Sequence, residues 1–296
     1  IFLDKTPFYP EGGGQVADNG IMSTEIGQGY IFSVEKNDGI IAHCCEMTEG
    51  VIRVGDEVRC SVDAVKRNCT ARNHTATHLL QKALREIIGA HVQQAGSSVN
   101  ENMLRFDFSH FEAVTKEQLE KIQDRVNEKI NEFLPVTCEE MSMEDAKKSG
   151  AMALFGEKYK NTVRVVSAGQ WSRELCGGIH VKNTGEIGAF KIISESGIAS
   201  GVRRIEAVTG TGVLAESLKS DRILESAAEV LKANKSNLTE RIIAAAEELK
   251  SLKKEIEEMK KAAMGGEADS LIAGALCING INLITREFDG YNINDL

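Results

Sequence analysis

The sequence predicts an α+β fold in which a small β-barrel is followed by an α/β zinc-containing domain and a long, coiled-coil-like helical segment. Three observations lead to this fold class. Glycine-rich turns divide the first 63 residues into short β-type runs, helical and strand-like patterns alternate after them, and an unbroken heptad pattern occupies the C-terminal part. The predicted domain ranges are 1–63, 64–214, 215–264 and 265–296, the last being the start of a truncated domain.

The composition is that of a globular chain without a membrane partner. Of its 296 residues 42% are hydrophobic, and no apolar run reaches the roughly 18 residues that a membrane span requires. Neither a signal peptide nor an initiator Met is present, which predicts a piece of a longer protein. Seven cysteines without a CxxC pair indicate reduced thiols and a cytoplasmic location.

The net charge of −9 argues against nonspecific binding of nucleic acid. A local basic surface remains compatible with that charge. The candidates for it, all close to the motifs described below, are Lys66, Arg67, Arg72, Arg203 and Arg204. For each of them alone, an ordinary solvated surface charge is the simpler interpretation.

The first domain has the turn pattern of a small barrel or sandwich. Glycine-containing turns at residues 12–14, 18–20 and 37–39 separate β-type runs such as 31–34 and 51–54. Short strands at this spacing favour a small barrel or a sandwich.

Helical periodicity follows the first domain. Residues 71–88 consist of helix formers and end before Gly89, a residue typical of C-caps. A second helix is predicted over residues 109–134, where Thr115 opens a capping-box sequence. Strand-like runs with glycine-rich connections follow at residues 163–166, 189–193 and 204–209.

Apolar residues in the C-terminal part alternate spacings of four and three, with Glu and Lys between them. They are Leu238, Ile242, Ala245, Leu249, Leu252, Ile256, Met259 and Ala263. A break at residues 234–237 predicts a helical hairpin, and Gly265-Gly266 is predicted to end the second helix. We expect the seam to pack on the preceding helix, and a homodimer formed through the C-terminal region is the alternative.

Two pairs of side chains have the spacing of metal ligands. His74 and His78 lie four residues apart on a predicted helix, so both imidazoles project from one face. The Glu that follows the first His in HExxH metalloproteases is absent, because Thr75 occupies that position. Cys176 and His180 flank two glycines, whose backbone can bend tightly enough for both side chains to reach one ion. Together the four side chains form a complete set of ligands for Zn²⁺.

The role of such a zinc ion stays open at this level. It could join a helix to a loop and do nothing else, or no metal could bind at all. Catalytic zinc sites usually keep one position free. With four protein ligands, one of them is therefore loose, the site becomes five-coordinate, or the metal organises a pocket. His43, His91 and His110 have no partner at ligand spacing and are interpreted as ordinary histidines.

Six longer motifs follow one another along the chain. They are TPFYPEGGGQ (6–15), RNHTATHLL (72–80), LRFDFSH (104–110), GAMALFGEKY (150–159), ELCGGIH (174–180) and GVRRIEAVTG (201–210). In this order they resemble the editing region of bacterial alanyl-tRNA synthetases, and the likeness covers most of residues 1–215. The heptad helix and the segment after it are similar to the C-terminal linker of that family and the start of its C-terminal domain.

The resemblance implies a zinc centre beside an editing pocket. The implied ligands are His74, His78, Cys176 and His180. The glycine loop ending at Gln15 would lie near the pocket, and Gln94 matches a pocket glutamine of the family, although a solvent-facing loop position is an equal alternative for it. Glu11 and Thr77 are further pocket candidates, and Thr77 could equally be packed or bonded to its own helix.

Two positions depart from the family pattern. Ile179 stands where Thr is common, and Gly12 stands where Ser is frequent. Neither residue is one of the implied ligands.

The implied reaction is zinc-dependent hydrolysis of the ester that joins serine or glycine to the 3′ end of tRNA(Ala). A pocket sized for alanine rejects these neighbours only about 10–200-fold, so a second site must remove the wrong products. Zn²⁺ would position the aminoacyl group or polarise an ester oxygen or a water molecule. ATP and Mg²⁺ would serve an aminoacylation domain upstream of this sequence.

Two alternatives remain beside that interpretation. A free-standing editing protein of the AlaX type has the same ligands, although the long C-terminal helix favours the synthetase. A zinc-stapled module that binds tRNA without catalysis is the alternative from another functional class. Threonyl-tRNA synthetases carry a related domain, but the segments at 150–159 and 201–210 are more similar to the alanyl family.

Overall fold

The structure, a computed structural model, describes residues 1–152 and 161–285. The chain divides into two compact units, 1–218 and 219–296, and the predicted domain ranges stay a prediction beside this division. Within the described residues, no helix is long and apolar enough to cross a membrane. Most of the motif at 150–159 and the end of the predicted C-terminal domain lie outside those residues.

The first sheet is antiparallel and open. Its strands are β1 (Gly20–Ser23), β2 (Gly27–Asn37), β3 (Ile40–Gly50) and β4 (Arg59–Val62), in the spatial order β3-β2-β1-β4. The predicted closed barrel is therefore wrong for the part of the chain that is described. The reason is that β4 ends after four residues, where the chain enters a helix, so it cannot match the eleven residues of β3 at the other edge.

The elements after the first sheet form a mixed α/β arrangement, as predicted. They are α1 (Ala64–Ile87), β5 (Gln94–Val99), β6 (Leu104–Ser109), α2 (Lys116–Asn131), β7 (Val136–Ser142), α3 (Met143–Lys148), β8 (Thr162–Ala168), β9 (Ser172–Leu175), a 3₁₀ turn at Thr184–Ile187, β10 (Phe190–Ala199) and β11 (Val202–Thr209). One antiparallel sheet has the order β10-β11-β6-β5, and another has the order β7-β8-β9.

Capping residues explain where the two helices of this region begin. The carboxylate of Asp63 accepts hydrogen bonds from the first backbone N–H groups of α1, so this helix starts before residue 71. The capping box of Thr115 with Gln118 is confirmed at the start of α2. The predicted start at residue 109 is wrong, because residues 104–109 form β6, a central strand of its sheet.

The main core fixes the orientation of α1. Leu79, Leu80 and Leu84 are fully buried in the same cluster as Phe106 and Phe108 of β6. Burying each such side chain contributes about 1.5–3 kcal/mol. This packing prevents α1 from turning about its own axis, so the direction of its polar stripe is also fixed.

The last described elements are α4 (Thr211–Val230), α5 (Leu238–Ala273), β12 (Leu276–Ile278) and β13 (Ile281–Leu283). The break predicted at residues 234–237 lies between the two helices. The predicted end at Gly265-Gly266 is wrong, since α5 continues to Ala273. Two glycines destabilise a helix by about 2 kcal/mol, but strong helix formers on both sides of them outweigh that cost. Leu238 at the start of the seam is buried, whereas the large apolar residues from Ile242 to Met259 stay about half exposed. The packing or coiled-coil partner of this exposed part remains a prediction.

Candidate metal centre

Four potential metal ligands converge where α1 meets the turn after β9. They are His74, His78, Cys176 and His180, and their ligand atoms all lie within 4.8 Å of one another. The ring centroids of His74 and His78 are 5.4 Å apart, and the centroid of His180 lies 4.5 Å from the first and 5.0 Å from the second. The described residues contain no other group of three or more side chains arranged in this way.

The turn that carries Cys176 approaches α1 closely enough to require glycine. A Cβ atom on Gly178 would lie 2.0 Å from Cε1 of His74, whereas a Cβ atom on Gly177 would meet nothing within 4 Å. The turn is held from the opposite side by Arg164, whose Nη1 donates to the carbonyl groups of Cys176 at 3.1 Å and Gly178 at 2.6 Å.

Gln15 determines which nitrogen of His74 carries the hydrogen. Its side chain is 1% exposed, and its Oε1 accepts from the backbone N–H of Ile179 at 2.8 Å and lies 2.7 Å from Nδ1 of His74. Because a backbone N–H can only donate, the shared Gln15 atom is an acceptor, and Nδ1 of His74 must be its second donor. The Nε2 lone pair of the neutral ring is then free, 3.4 Å from Sγ of Cys176.

Thr75 orients His180 by the same logic. Its hydroxyl donates to the carbonyl of Ala71 at 2.8 Å and accepts from the N–H of Val181 at 3.2 Å. The hydroxyl hydrogen is therefore already used, so Nδ1 of His180, 3.2 Å away, is the donor of that pair. Nε2 of His180 then presents its lone pair 3.3 Å from Sγ of Cys176.

Glu174 takes the corresponding position for His78. Its Oε2 lies 2.5 Å from Nδ1 of His78, and the carboxylate side chain is 2% exposed. The other ring nitrogen of His78 is buried and has no hydrogen-bond partner among the described residues. A buried polar atom without a partner costs stability unless something binds it, so this nitrogen fits the position of a metal ligand.

Electrostatics favours an anionic Cys176 and a neutral His180, the forms of these two side chains that a metal ion binds. Burial would raise the pKa of Cys176, but the charges that His78 and His74 carry when protonated outweigh it and hold that pKa well below the usual range of a thiol. Burial, followed by the charge of His74, lowers the pKa of His180 to about 3. Burial disfavours a charge on His78 too, but Glu174 and Cys176 raise its pKa well above normal. A bound cation would replace the proton on His78.

The orienting residues were only partly foreseen from the sequence. The sequence indicates Gln15 as a pocket candidate, and its oxygen lies 2.7 Å from a ring nitrogen of a potential ligand. The sequence does not indicate Glu174, Thr75 or Arg164 as orienting residues. For the first two a signal existed, since they stand within one or two positions of Cys176 and His74 inside motifs already recognised.

The other pocket candidates lie outside the cluster. Nε2 of Gln94 donates to Oγ of Ser97 at 3.2 Å, next to a register shift of β5. Gly14 of the glycine loop packs on the same serine, because a Cβ atom at that position would lie 2.5 Å from its Oγ. Thr77 is buried and donates to the carbonyl of its own helix one turn earlier at 2.9 Å, and Glu11 is exposed.

Three of the five basic candidates form ion pairs with carboxylates. Arg67 is paired with Asp18, Arg203 with Glu195 and Arg204 with Asp107. The two remaining cations, Lys66 and Arg72, line surface cavities.

The other three histidines and the two positions that depart from the family pattern lie outside the metal cluster. His43 is 2% exposed and contacts Thr6 at 2.7 Å, and His91 and His110 form an exposed pair 3.0 Å apart. Ile179 packs against the main core through its side chain. Gly12 belongs to the exposed part of the glycine loop.

Two family models match the chain in regions that contribute to this centre. Residues 1–66 match the model for tRNA synthetases class II (A), and residues 163–206 match the model for the threonyl and alanyl tRNA synthetase second additional domain. Alanine–tRNA ligases from Acetivibrio thermocellus and Fusobacterium nucleatum are 46% and 48% identical to it, each over 100% of this chain and 34% of the relative. The chain belongs to the alanine–tRNA ligase family. It spans about a third of the length of these curated relatives.

Each of the two matched regions contributes residues to the centre. Gln15 comes from the region that matches the class II tRNA synthetase model, and Glu174, Cys176 and His180 come from the region that matches the second additional domain. The two histidines of α1 lie in the sequence between these regions. In this alanine–tRNA ligase family member, the centre is therefore assembled from three separate parts of the chain.

Proposed function

We propose that the four-residue cluster holds Zn²⁺ and that the chain hydrolyses the ester of Ser-tRNA(Ala) and Gly-tRNA(Ala). The observation that supports the metal is the arrangement of the three imidazoles. Each has Nδ1 occupied by a separate partner, which leaves each Nε2 available beside one cysteine sulfur. Three imidazole nitrogens and a thiolate suit zinc, and a second partner on each imidazole is typical of zinc sites.

When bound, Zn²⁺ supplies a fixed positive charge and Lewis-acid polarisation beside an ester. The side chains of the chain itself perform the remaining tasks. Gln15, Thr75 and Glu174 keep the three imidazoles in one orientation, so the centre is preorganised before a substrate arrives. Gln94, held by Ser97 beside the glycine loop, would donate or accept a hydrogen bond to the aminoacyl group.

The proposed tRNA substrate follows from the family. Discrimination between alanine and its neighbours glycine and serine by size reaches only about 10–200-fold in one pocket, so a ligase for alanine needs a hydrolytic second site. We also propose that the complete protein joins alanine to tRNA(Ala) with ATP and Mg²⁺, using residues outside these 296. The high identity to ligases over the whole chain supports this assignment over a free-standing editing protein.

Incubation with Ser-tRNA(Ala) is expected to release serine, and chelation of the metal is expected to stop the release. The physical reason is that the charge of the cation is needed beside the ester. Release would be followed with labelled serine, before and after dialysis against a chelator and after zinc is added back. Release that survives complete removal of the metal would contradict a catalytic zinc. Binding of the tRNA without release would favour the non-catalytic, zinc-stapled module.

Loss of an orienting side chain is expected to weaken metal binding without removing a ligand. In Gln15→Ala, Nδ1 of His74 and the N–H of Ile179 lose their shared acceptor, and we expect roughly a 10–100-fold lower zinc affinity. Competition with a chromophoric chelator measures this affinity. Gln28→Ala, which changes a partly buried glutamine of β2 outside the cluster, serves as the matched control. An affinity equal to that of the wild type would show that Gln15 does not position the histidine.

A further inference from the structure

We infer that a cavity beside His180 binds a phosphate group of the RNA that carries the ester, an assignment that rests on the proposed function. The cavity has a volume of about 340 Å³, and its lining includes Arg67, Arg72, His180, Lys182 and Glu186. We call it the His180 cavity.

The lining of the His180 cavity is basic, although the chain as a whole carries a net charge of −9. Three cations and one carboxylate, Glu186, surround it. Arg67 is paired with Asp18. Arg72 and Lys182 form no ion pair and no side-chain hydrogen bond within the described part of the chain. The cavity therefore contains two cationic groups without an ion-pair partner in the described part of the chain, against a single carboxylate in its lining.

Of these two cations, Arg72 gives the stronger indication of a bound anion. It is partly buried, and its guanidinium lies across Gly210, where a Cβ atom would be 3.3 Å from Nη1. A surface lysine without a partner is common, but a half-buried guanidinium without one has lost hydration and gained no anion. The planar fork of arginine matches the oxygens of a phosphate. Its surroundings therefore favour a bound anion.

The position of the cavity favours RNA as the source of that anion. Arg67, Ala71, Thr75 and His78 follow one another on α1 at steps of four, four and three residues, so the cavity lies at the head of the stripe that carries the metal cluster. His180 belongs to both the cavity wall and the cluster. An ester held at the cluster is attached to the last nucleotide of an RNA, whose nearest phosphates then lie one or two nucleotides away.

The test measures binding of fluorescein-labelled tRNA(Ala) to the whole chain at several salt concentrations. Single-stranded RNA gives a slope of log K against log salt of about −0.7 per phosphate contact. We expect the double variant Arg72→Gln/Lys182→Gln to remove this one contact, so that the slope falls by about 0.7 and binding at low salt weakens roughly tenfold or more. The single variant Lys182→Gln should weaken binding at low salt in the same direction, which keeps the test valid if Arg72→Gln disturbs folding.

Matched controls separate a specific contact from a change in net charge. Arg53→Gln/Lys116→Gln removes one arginine and one lysine that are exposed and lie outside the cavity. We expect it to leave the slope within error of the wild type. A control that lowers the slope as much as the cavity variant would overturn the assignment. Zinc content, measured on each variant, should stay at the wild-type level.

A competition experiment distinguishes a phosphate of the RNA from a free anion. Inorganic phosphate, added at constant ionic strength, should compete with tRNA for the wild type and not for the double variant. Loss of phosphate competition with unchanged tRNA affinity would assign the cavity to a free anion and overturn our proposal. If the wild type releases no serine yet the slopes change as expected, the proposed hydrolysis fails and the phosphate site stands.

Discussion

The His78→Ala variant is expected to purify without zinc, to release no serine and to unfold at a much lower urea concentration than the wild type. One of four ligands is lost, and a structural zinc site supplies about 10–16 kcal/mol in total, of which several kcal/mol would disappear. The substitution also leaves Glu174 without its partner, although its side chain is 2% exposed. Removing one member of a buried pair costs about 3–5 kcal/mol.

Metal analysis and urea unfolding test this expectation together, and a second substitution separates its two causes. In His78→Ala/Glu174→Gln the buried charge is gone, so we expect part of the stability to return while zinc stays absent. His110→Ala, which removes an exposed histidine outside the cluster, is the matched control and should keep one zinc per chain. Zinc retained in His78→Ala at the wild-type affinity would refute the ligand set.

The Gly178→Ala variant is expected to lose the metal although it removes no ligand. The added Cβ atom would lie 2.0 Å from Cε1 and 2.4 Å from Nδ1 of His74, and 2.8 Å from Oε1 of Gln15. Contacts this short force the turn away from α1, because the core that fixes α1 cannot yield by that distance. Cys176 would move with the turn, so its sulfur would no longer reach the three imidazoles.

The neighbouring glycine provides the control for this variant. A Cβ atom on Gly177 meets nothing within 4 Å, so Gly177→Ala should bind zinc as the wild type does. Both variants change one hydrogen to a methyl group in the same turn, and a general loss of turn flexibility would affect them equally. Equal zinc affinities for the two would mean that close approach of the turn to His74 is not required.

Features that depend on neighbouring residues were predictable from the sequence. The four-residue spacing of His74 and His78 places both on one face of any helix that contains them, and α1 does contain them. The capping box of Thr115 was predictable because its two hydrogen bonds join residues three positions apart. The glycines before His180 indicated a tight turn, and Gly178 does approach α1 closely.

Two of the three errors concern features that depend on distant residues. Closure of the first sheet needs two edge strands of similar length, and β4 is cut short by the start of α1. Residue 109, predicted as the start of a helix, ends a strand instead, because β5 and β11 pair with β6 on both sides. The helix through Gly265-Gly266 shows that the residues around a glycine pair can outweigh its local cost.

The sequence by itself determined the four potential ligands and the family, since both rest on residue types at short, countable spacings. Only the tertiary structure decided which nitrogen each imidazole offers. Gln15 and Glu174 lie 59 and 96 positions from the histidines they orient. Contacts at that separation exist because α1 is packed in one orientation against the sheets, and no local pattern encodes the direction in which a buried side chain then points.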